Sequence, residues 1–134
     1  MKIGQASKRS GVSQRMIRHY EAIGLIPKAA RRDSGYRDYD DRDVHTLRFI
    51  RRSRDLGFPI EEIGRLLALW QDRSRASADV KALATARAEE LRRKEDELRA
   101  MRRTLEQLAR NCHGDGRPEC PILEDLAAED DTDA

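Results

Sequence analysis

Two cysteines, Cys112 and Cys120, are separated by seven residues. The segment between them contains two glycines and one proline, so it can form a loop that brings both sulfur atoms onto one ion. Thiolates are soft ligands that favour Cu(I), Ag(I) or Au(I), and such a monovalent ion accepts two sulfur ligands. Zinc usually takes four ligands, some of which His113, Asp115 and Glu119 could supply. Oxidation could instead close the pair to a disulfide, so the pattern predicts either metal binding or redox sensing.

The cysteines follow a stretch, residues 77–111, with the pattern of one long helix. No Gly or Pro occurs between Arg65 and His113, and two stripes of residues recur every seven positions. The stripes consist of Leu91, Leu98 and Leu105, and of Arg87, Lys94, Met101 and Leu108. Such a heptad seam is typical of a coiled coil, and a single helix cannot bury its own seam. The pattern therefore predicts a homodimer formed through this helix.

The charges are unevenly divided along the chain, although the net charge is only +2. Residues 1–56 carry 14 Lys and Arg against 7 Asp and Glu, whereas residues 57–134 carry 13 against 18. A basic front half predicts a polyanionic partner, nucleic acid rather than a membrane. No signal peptide or transmembrane run is visible, so we expect a cytoplasmic protein. The three histidines are scattered and no nucleophile–base set is evident, which argues against an enzyme.

The beginning of the basic half predicts two short helices joined by a turn. Residues 3–10 form the first helix, Gly11 ends it, and Ser13 caps a second helix that runs to about Ala22. The outward side chains of the second helix include Arg15, Arg18 and His19, and its inner face comprises Met16, Ile17 and Tyr20. Two helices, a glycine turn and outward arginines are typical of a helix-turn-helix that binds DNA.

A small hairpin, or wing, is predicted after this motif. Residues 28–39 contain a turn at Ser34-Gly35 between two segments of alternating pattern. The side chains that could reach backbone phosphates are Arg31, Arg32, Tyr36 and Arg37. We therefore expect the wing to add affinity for DNA without distinguishing one base sequence from another.

Two further helices are predicted before the long helix. Asp40 caps the third helix and Gly57 ends it. Pro59 starts the fourth, in which apolar residues keep helical spacing as far as Trp70. Residues 71–76 form a polar break, and the acidic residues after position 126 predict a disordered tail.

Several of these segments resemble the MerR family of transcription activators. The motifs that carry the resemblance are Ile3-Gly4-Gln5-Ala6, Gly11-Val12-Ser13, Ile17-Arg18-His19-Tyr20-Glu21, Gly24-Leu25, Ser34-Gly35-Tyr36-Arg37-Asp38-Tyr39, Leu56-Gly57-Phe58 and Ile60-Glu61-Glu62-Ile63. The resemblance covers residues 1 to about 126 and implies a mainly α-helical protein. Its parts are a winged helix-turn-helix domain at 1–70, a hinge at 71–76, a dimerisation helix at 77–111 that forms an antiparallel coiled coil, a metal-binding loop and short helix at 112–126, and an acidic tail at 127–134.

The resemblance also implies which residues meet double-stranded promoter DNA. The recognition-helix contacts fall on Arg15, Arg18, His19 and Tyr20, the wing contacts on Arg31, Tyr36 and Arg37, and a further phosphate contact on Arg54. In this family a dimer acts on RNA polymerase at the promoter by distorting the DNA between the two promoter elements, and we expect the same here.

Within the family, the cysteine loop resembles that of the copper-efflux regulator (CueR/HmrR-like) subgroup. Cys112 and Cys120 directly follow the long helix, and Pro121-Ile122 comes next, as in that subgroup. Members that sense divalent ions have a third cysteine where this chain has Ser77. The resemblance implies an activator that responds to Cu(I), with Ag(I) or Au(I) as alternatives and Ser77 as a determinant of metal choice. A divalent-metal sensor and a thiol-redox sensor remain the competing interpretations.

Overall fold

The structure, a computed structural model, describes residues 1–31 and 37–128, and for Ala30, Arg31 and Arg37 it describes only the backbone. The chain divides into two compact units, Met1–Arg87 and Ala88–Ala134. The elements along the described residues are α1 (Ile3–Ser10), α2 (Gln14–Ala22), β1 (Ala30–Arg31), β2 (Arg37–Asp38), α3 (Asp41–Asp55), α4 (Ile60–Gln71), α5 (Ser77–Asn111) and α6 (Pro121–Ala127). This is the mainly α-helical fold that the sequence predicts. Among these helices, none has the length and apolar character needed to cross a bilayer.

The predicted helix–turn–helix is confirmed, including the residues that end one helix and begin the next. Gly11 ends α1 in the left-handed conformation, with φ of 75°, and its amide donates to the carbonyl of Ser7. A residue with a Cβ adopts this conformation at a cost, which explains the glycine. Ser13 then caps α2, since its hydroxyl accepts a hydrogen bond from the Met16 amide at 3.2 Å.

The core of the first unit lies where α1, α2, α3 and α4 meet. Its buried apolar residues are Ala6, Val12, Ile17, Tyr20, Ile26, Tyr39, Val44, Leu47, Ile50, Ile63 and Leu67. Burying a large apolar side chain stabilises a fold by about 1.5–3 kcal/mol, so this cluster supplies most of the driving force for the unit. Ile17 and Tyr20 contribute one face of α2, which leaves the opposite face of that helix exposed.

Residues near the two ends of the predicted wing pair with each other as a two-stranded antiparallel sheet. Ala30 pairs with Asp38 and Arg31 pairs with Arg37. The predicted turn at Ser34-Gly35 and the wing residues Arg32 and Tyr36 lie outside the described residues.

After the second strand, Tyr39 fastens the wing to the core. Its side chain is buried, and its hydroxyl donates to the buried carboxylate of Glu21 on α2. A hydrogen bond to a charged group inside a protein stabilises by roughly 1.5–3 kcal/mol, so the base of the predicted wing is held against α2.

The helix α3 begins with the cap that the sequence predicts at Asp40. The Asp40 carboxylate accepts from the Asp43 amide at 2.9 Å, and the Asp43 carboxylate accepts from the Asp40 amide at 2.9 Å. This reciprocal pair is a capping box built from two aspartates. Burial of the Asp43 carboxyl and its proximity to Asp40 raise the pKa of Asp43.

We expect Asp40→Ala to destabilise the protein by about 1 kcal/mol, because the first turn of α3 loses its acceptor. Urea unfolding followed by far-UV circular dichroism measures the change in free energy. Asp40→Asn is the matched control, since asparagine caps about as well as aspartate and should preserve stability. Equal losses in the two variants would contradict the capping role.

At the turn between α3 and α4, one predicted helix end is confirmed and one predicted helix start is wrong by one residue. Gly57 has φ of 82°, and its predicted role at the end of α3 is confirmed. Pro59 is the residue before α4 rather than its first residue, because the helix begins at Ile60 and the Ile63 amide donates back to the Pro59 carbonyl. Within α4, Ile63 and Leu67 are buried, whereas Trp70 is half exposed and stacks on Phe49 with 4.7 Å between the ring centroids.

The long helix α5 has the bounds that the sequence predicts. At about 1.5 Å per residue, its 35 residues extend over roughly 50 Å. The heptad leucines are exposed in the single chain: Leu98 is 62% and Leu105 is 59% accessible. One position of the seam differs, because Arg87 is only 8% exposed.

Candidate DNA interface and metal loop

Helix α2 presents the three residues predicted to contact DNA from its outer face. Arg15, Arg18 and His19 are all exposed. On the same helix Ile17 and Tyr20 are buried, which fixes the rotation of α2 about its own axis. Two guanidinium groups and one imidazole are therefore exposed on a helix whose inner face is packed in the core. This is the arrangement that a helix entering the major groove of DNA requires.

The fourth predicted contact on α2, Tyr20, lies in the core with 1% of its surface exposed. Its hydroxyl accepts a hydrogen bond from Nη1 of Arg54 on α3 at 2.8 Å. Arg54 is itself exposed. Tyr20 thus holds the Arg54 guanidinium beside α2. The one polar group of the Tyr20 side chain is therefore already engaged within the protein.

Two further exposed arginines of α3 lie beside the helix-turn-helix, and the sequence interpretation gave them no role. Arg51 lies over the turn of the helix-turn-helix, where a Cβ at Gly11 would overlap its guanidinium and approach Cζ to 2.8 Å. Arg48 donates from Nε and Nη2 to the carbonyl of Arg9, at 3.0 and 2.9 Å, and so satisfies the end of α1. Arg48, Arg51 and Arg54 recur every three residues, and that spacing on one helix face is the signal that could have identified them.

The wing contacts cannot be placed in the same way. Tyr36 lies outside the described residues, and only the backbone is described for Arg31 and Arg37. The strand pairing of Arg31 with Arg37 brings these two backbone positions together. Their contacts with phosphate remain predictions.

The second unit brings the two cysteines together at the end of α5. Cys112 is the residue after α5, and Cys120 is the residue immediately before α6. The two thiols are free and half-buried, and a hydrogen bond joins their side chains. The loop therefore brings the two sulfur atoms next to each other, as the sequence predicts.

The start of α6 stabilises the thiolate form of Cys120. Backbone amides lower the pKa of the Cys120 thiol below its ordinary value, with that of Leu123 contributing most and that of Ile122 adding to it. The hydrogen bond from Cys112 acts in the same direction, whereas partial burial and the charge of Glu124 oppose the shift. A helix N-terminus aimed at a sulfur atom is a known way to favour the anion, which is the form that binds metals.

The polar residues of the loop are arranged around a turn. The Asp115 carboxylate accepts from the amide of Arg117 at 3.0 Å and from its Nε at 2.8 Å. His113 and Glu119 are exposed. Within residues 1–31 and 37–128, no cluster of three or more His, Cys, Asp or Glu residues is placed to hold a metal ion. The donors that the loop does bring together are two thiols, and this set fits a soft monovalent ion.

The lowered pKa of Cys120 leads to a testable expectation for its reactivity. In a Cys112→Ser protein, iodoacetamide should modify native Cys120 at lower pH than it modifies the same protein unfolded in urea. The native thiol loses its proton earlier, because the amides of Leu123 and Ile122 stabilise the thiolate. The stabilisation that the thiolate gives the fold is present above the pKa of the unfolded thiol and is lost as the pH falls through the native pKa. Identical pH profiles for native and unfolded protein would contradict the arrangement at α6.

The predicted determinant of metal choice, Ser77, is the first residue of α5 and is exposed. The Asp79 amide donates to the carbonyl of Ala76, the residue directly before the helix, and this hydrogen bond forms the first turn of α5. The hydroxyl of Ser77 is a hard and weak ligand compared with a thiolate. Its effect on metal choice remains a prediction.

Comparison with known proteins agrees with this fold and with this arrangement of elements. Residues 1–69 match the family model of the MerR HTH family regulatory protein, and residues 44–108 match the model of the MerR DNA-binding region. The chain is 64% identical over 127 residues to the HTH-type transcriptional regulator HmrR of Sinorhizobium medicae, covering 95% of this chain and 86% of that one. It is 39% identical over 127 residues to the regulator CueR of Escherichia coli O157:H7, covering 95% and 94%.

Among solved structures, the transcription regulator PbrR691 from Ralstonia metallidurans CH34 in complex with lead(II) superposes with a TM-score of 0.82. Its sequence is 37% identical, and the match covers 95% of this chain and 99% of that chain. The chain belongs to the MerR family of helix-turn-helix transcription regulators. It is accordingly a DNA-binding regulator and not an enzyme.

Proposed function

We propose that this regulator activates genes for copper efflux and detoxification in response to Cu(I). The observation that carries the proposal is the pair of adjacent thiols at Cys112 and Cys120, held between the end of α5 and the start of α6. The high identity to HmrR and the lower identity to CueR support a place in the copper-efflux subgroup that the loop motif resembles.

The choice of a monovalent ion follows from the donor set. Two soft thiolates suit Cu(I), and Ag(I) and Au(I) share its preference for sulfur. The position where divalent-ion members carry a third cysteine is Ser77, whose hydroxyl does not replace a thiolate. The lead(II) complex of PbrR691 keeps a divalent ion as the alternative, in which His113 or Glu119 would complete the site.

The regulator acts, in this proposal, as a homodimer formed through α5. Its heptad residues Leu91, Leu98, Met101 and Leu105 are 43%, 62%, 55% and 59% exposed in the single chain. A second copy of the helix, running antiparallel, would remove this apolar surface from water at a gain of about 25 cal/mol per Å². The dimer would present two recognition helices to two half-sites of a promoter.

At the promoter, Arg15, Arg18 and His19 would read or position the DNA, and Arg54, held by Tyr20, would contact a phosphate. The Cu(I)-bound dimer would bend and untwist the DNA between the two promoter elements, so that RNA polymerase could contact both elements together. Such distortion has an elastic cost of order 1–6 kcal/mol, which phosphate contacts must offset. Because it would act on promoter DNA, the regulator would work in the cytoplasm.

The test uses an operator, defined as a fragment that the protein selects from bacterial genomic DNA. A fluorescent pair at the two ends of the operator reports DNA bending with and without buffered Cu(I). A change in end-to-end distance on adding Cu(I) to the bound complex is the expected result. An unchanged distance, with Cu(I) demonstrably bound, would remove the proposed mechanism.

A redox function is the second candidate, and the hydrogen-bonded thiols with a lowered pKa at Cys120 favour it. The two candidates separate under chelation. Peroxide should leave transcription unchanged when Cu(I) is chelated if the loop senses metal, and should switch transcription if the loop closes to a disulfide.

A further inference from the structure

The side chain of Arg87 is the one buried side chain among the residues of α5, although it occupies a heptad position. It is 8% exposed, whereas Leu91, the next residue along the seam, is 43% exposed. Arginine is seldom buried unless its guanidinium is engaged. Arg87 therefore contacts its own chain instead of lying open for the dimer partner.

The contact of Arg87 is the turn that joins α3 to α4. Its Nε donates to the carbonyl of Leu56 at 3.1 Å, and Leu56 is the residue that closes α3. Two earlier carbonyls at this end of α3 already have partners: that of Ser53 accepts from the amide of Phe58 at 3.1 Å, and that of Arg54 accepts from the amide of Gly57 at 2.8 Å. Arg87 thus provides a donor for Leu56 and a positive charge at the negative end of α3.

Gly57 provides the space for this contact. A Cβ at position 57 would overlap Nη2 of Arg87 and lie 2.9 Å from its Cζ. The guanidinium therefore lies directly on the backbone of the turn, at a residue whose φ is 82°. The first part of α5 is joined to the turn by hydrogen bonding and by close packing.

A residue next to this turn also contacts α2, the predicted recognition helix. Arg54, two positions before Leu56, donates to the Tyr20 hydroxyl of α2 at 2.8 Å. A continuous series of direct contacts therefore runs from α5 through Arg87, the end of α3 and Arg54 to α2. Coupling between distant sites travels through packed and hydrogen-bonded groups of this kind.

We propose that Arg87 is a positioning residue that couples the long helix to the DNA-binding elements. A displacement of α5 would move the end of α3, and with it Arg54 and α2. This role rests on the proposed function, in which metal binding in the loop after α5 changes how the dimer holds DNA.

The test compares Arg87→Met, Arg87→Lys and the control Arg92→Met, which removes an exposed arginine of the same helix. In Arg87→Met, operator affinity without metal should stay within about threefold of wild type, as for a residue outside the DNA interface. Its activation ratio, transcription with Cu(I) over transcription without, should fall by about tenfold or more. Arg87→Lys keeps a donor and should retain most of the response, and Arg92→Met should retain all of it.

Hydrogen exchange gives a second measurement that needs no metal. Operator binding to the wild-type dimer should slow the exchange of amides in residues 80–90, and this difference should disappear in Arg87→Met. A purely structural role would raise exchange equally with and without DNA and leave the difference intact.

A protein that binds Cu(I) yet shows no transcriptional response would refute the proposed function, and the exchange difference would still decide the role of Arg87. Undiminished protection in Arg87→Met, or a wild-type activation ratio in that variant, would overturn the coupling.

Discussion

Replacing Cys120 by serine is expected to abolish the Cu(I) response. The hydroxyl of serine is a hard and poorly ionised group, so a soft ion loses one of the two ligands that the loop brings together. We expect the affinity for Cu(I) to fall by on the order of a thousandfold, roughly 4 kcal/mol. Competition with a Cu(I) chelator of known affinity measures the loss, and Cys112→Ser should show a loss of similar size.

The matched controls for this prediction lie in the same loop. His113→Ala and Glu119→Gln change exposed residues between the two cysteines. Neither variant should lose more than about twofold in Cu(I) affinity if the thiols alone bind the ion, as for ordinary surface substitutions. A large loss in His113→Ala would instead assign a third ligand and favour the divalent interpretation.

Replacing Arg18 by alanine should weaken specific operator binding by about 1–3 kcal/mol if its guanidinium contacts a base edge. Arg18 is exposed on α2, whereas Ile17 belongs to the buried face of that helix, so truncation of Arg18 leaves the core of the unit intact. Fluorescence anisotropy with the operator and with a scrambled fragment measures the change. The expected result is a loss on the operator with little change on the scrambled DNA.

Salt dependence separates the two ways in which Arg18 could contact DNA. A contact to phosphate would reduce the slope of log affinity against log salt by about one charge and would weaken both fragments. Arg65→Ala, which removes an exposed arginine of α4, is the control and should bind the operator as wild type does. Unchanged operator affinity in Arg18→Ala would remove its predicted role.

The helices and their ends could be predicted from sequence because their signals are local. Ser13 and Asp40 cap helices that begin at the next residue, and Gly11 and Gly57 adopt the left-handed conformation at helix ends. Each of these features depends on residues within one helical turn. The loop between the cysteines is equally local, which is why the adjacency of its thiols followed from spacing alone.

The contacts that the sequence did not reveal join residues far apart in the chain. Arg87 reads as a seam residue, yet it lies on Leu56, 31 positions earlier. Tyr20 reads as a DNA contact by resemblance, yet its ring is buried and its hydroxyl is bound to Arg54. A heptad pattern and a family motif each give a position on a helix face, but the packing of other elements decides what covers that face.

The most direct test of a Cu(I)-responsive activator is single-round transcription from the operator-containing promoter, with bacterial RNA polymerase and the reduced wild-type protein. Buffered Cu(I) should raise the yield of transcript, whereas buffered Zn(II) should leave it at the metal-free level. Activation by Zn(II) equal to or greater than that by Cu(I) would contradict the assignment of a monovalent metal sensor.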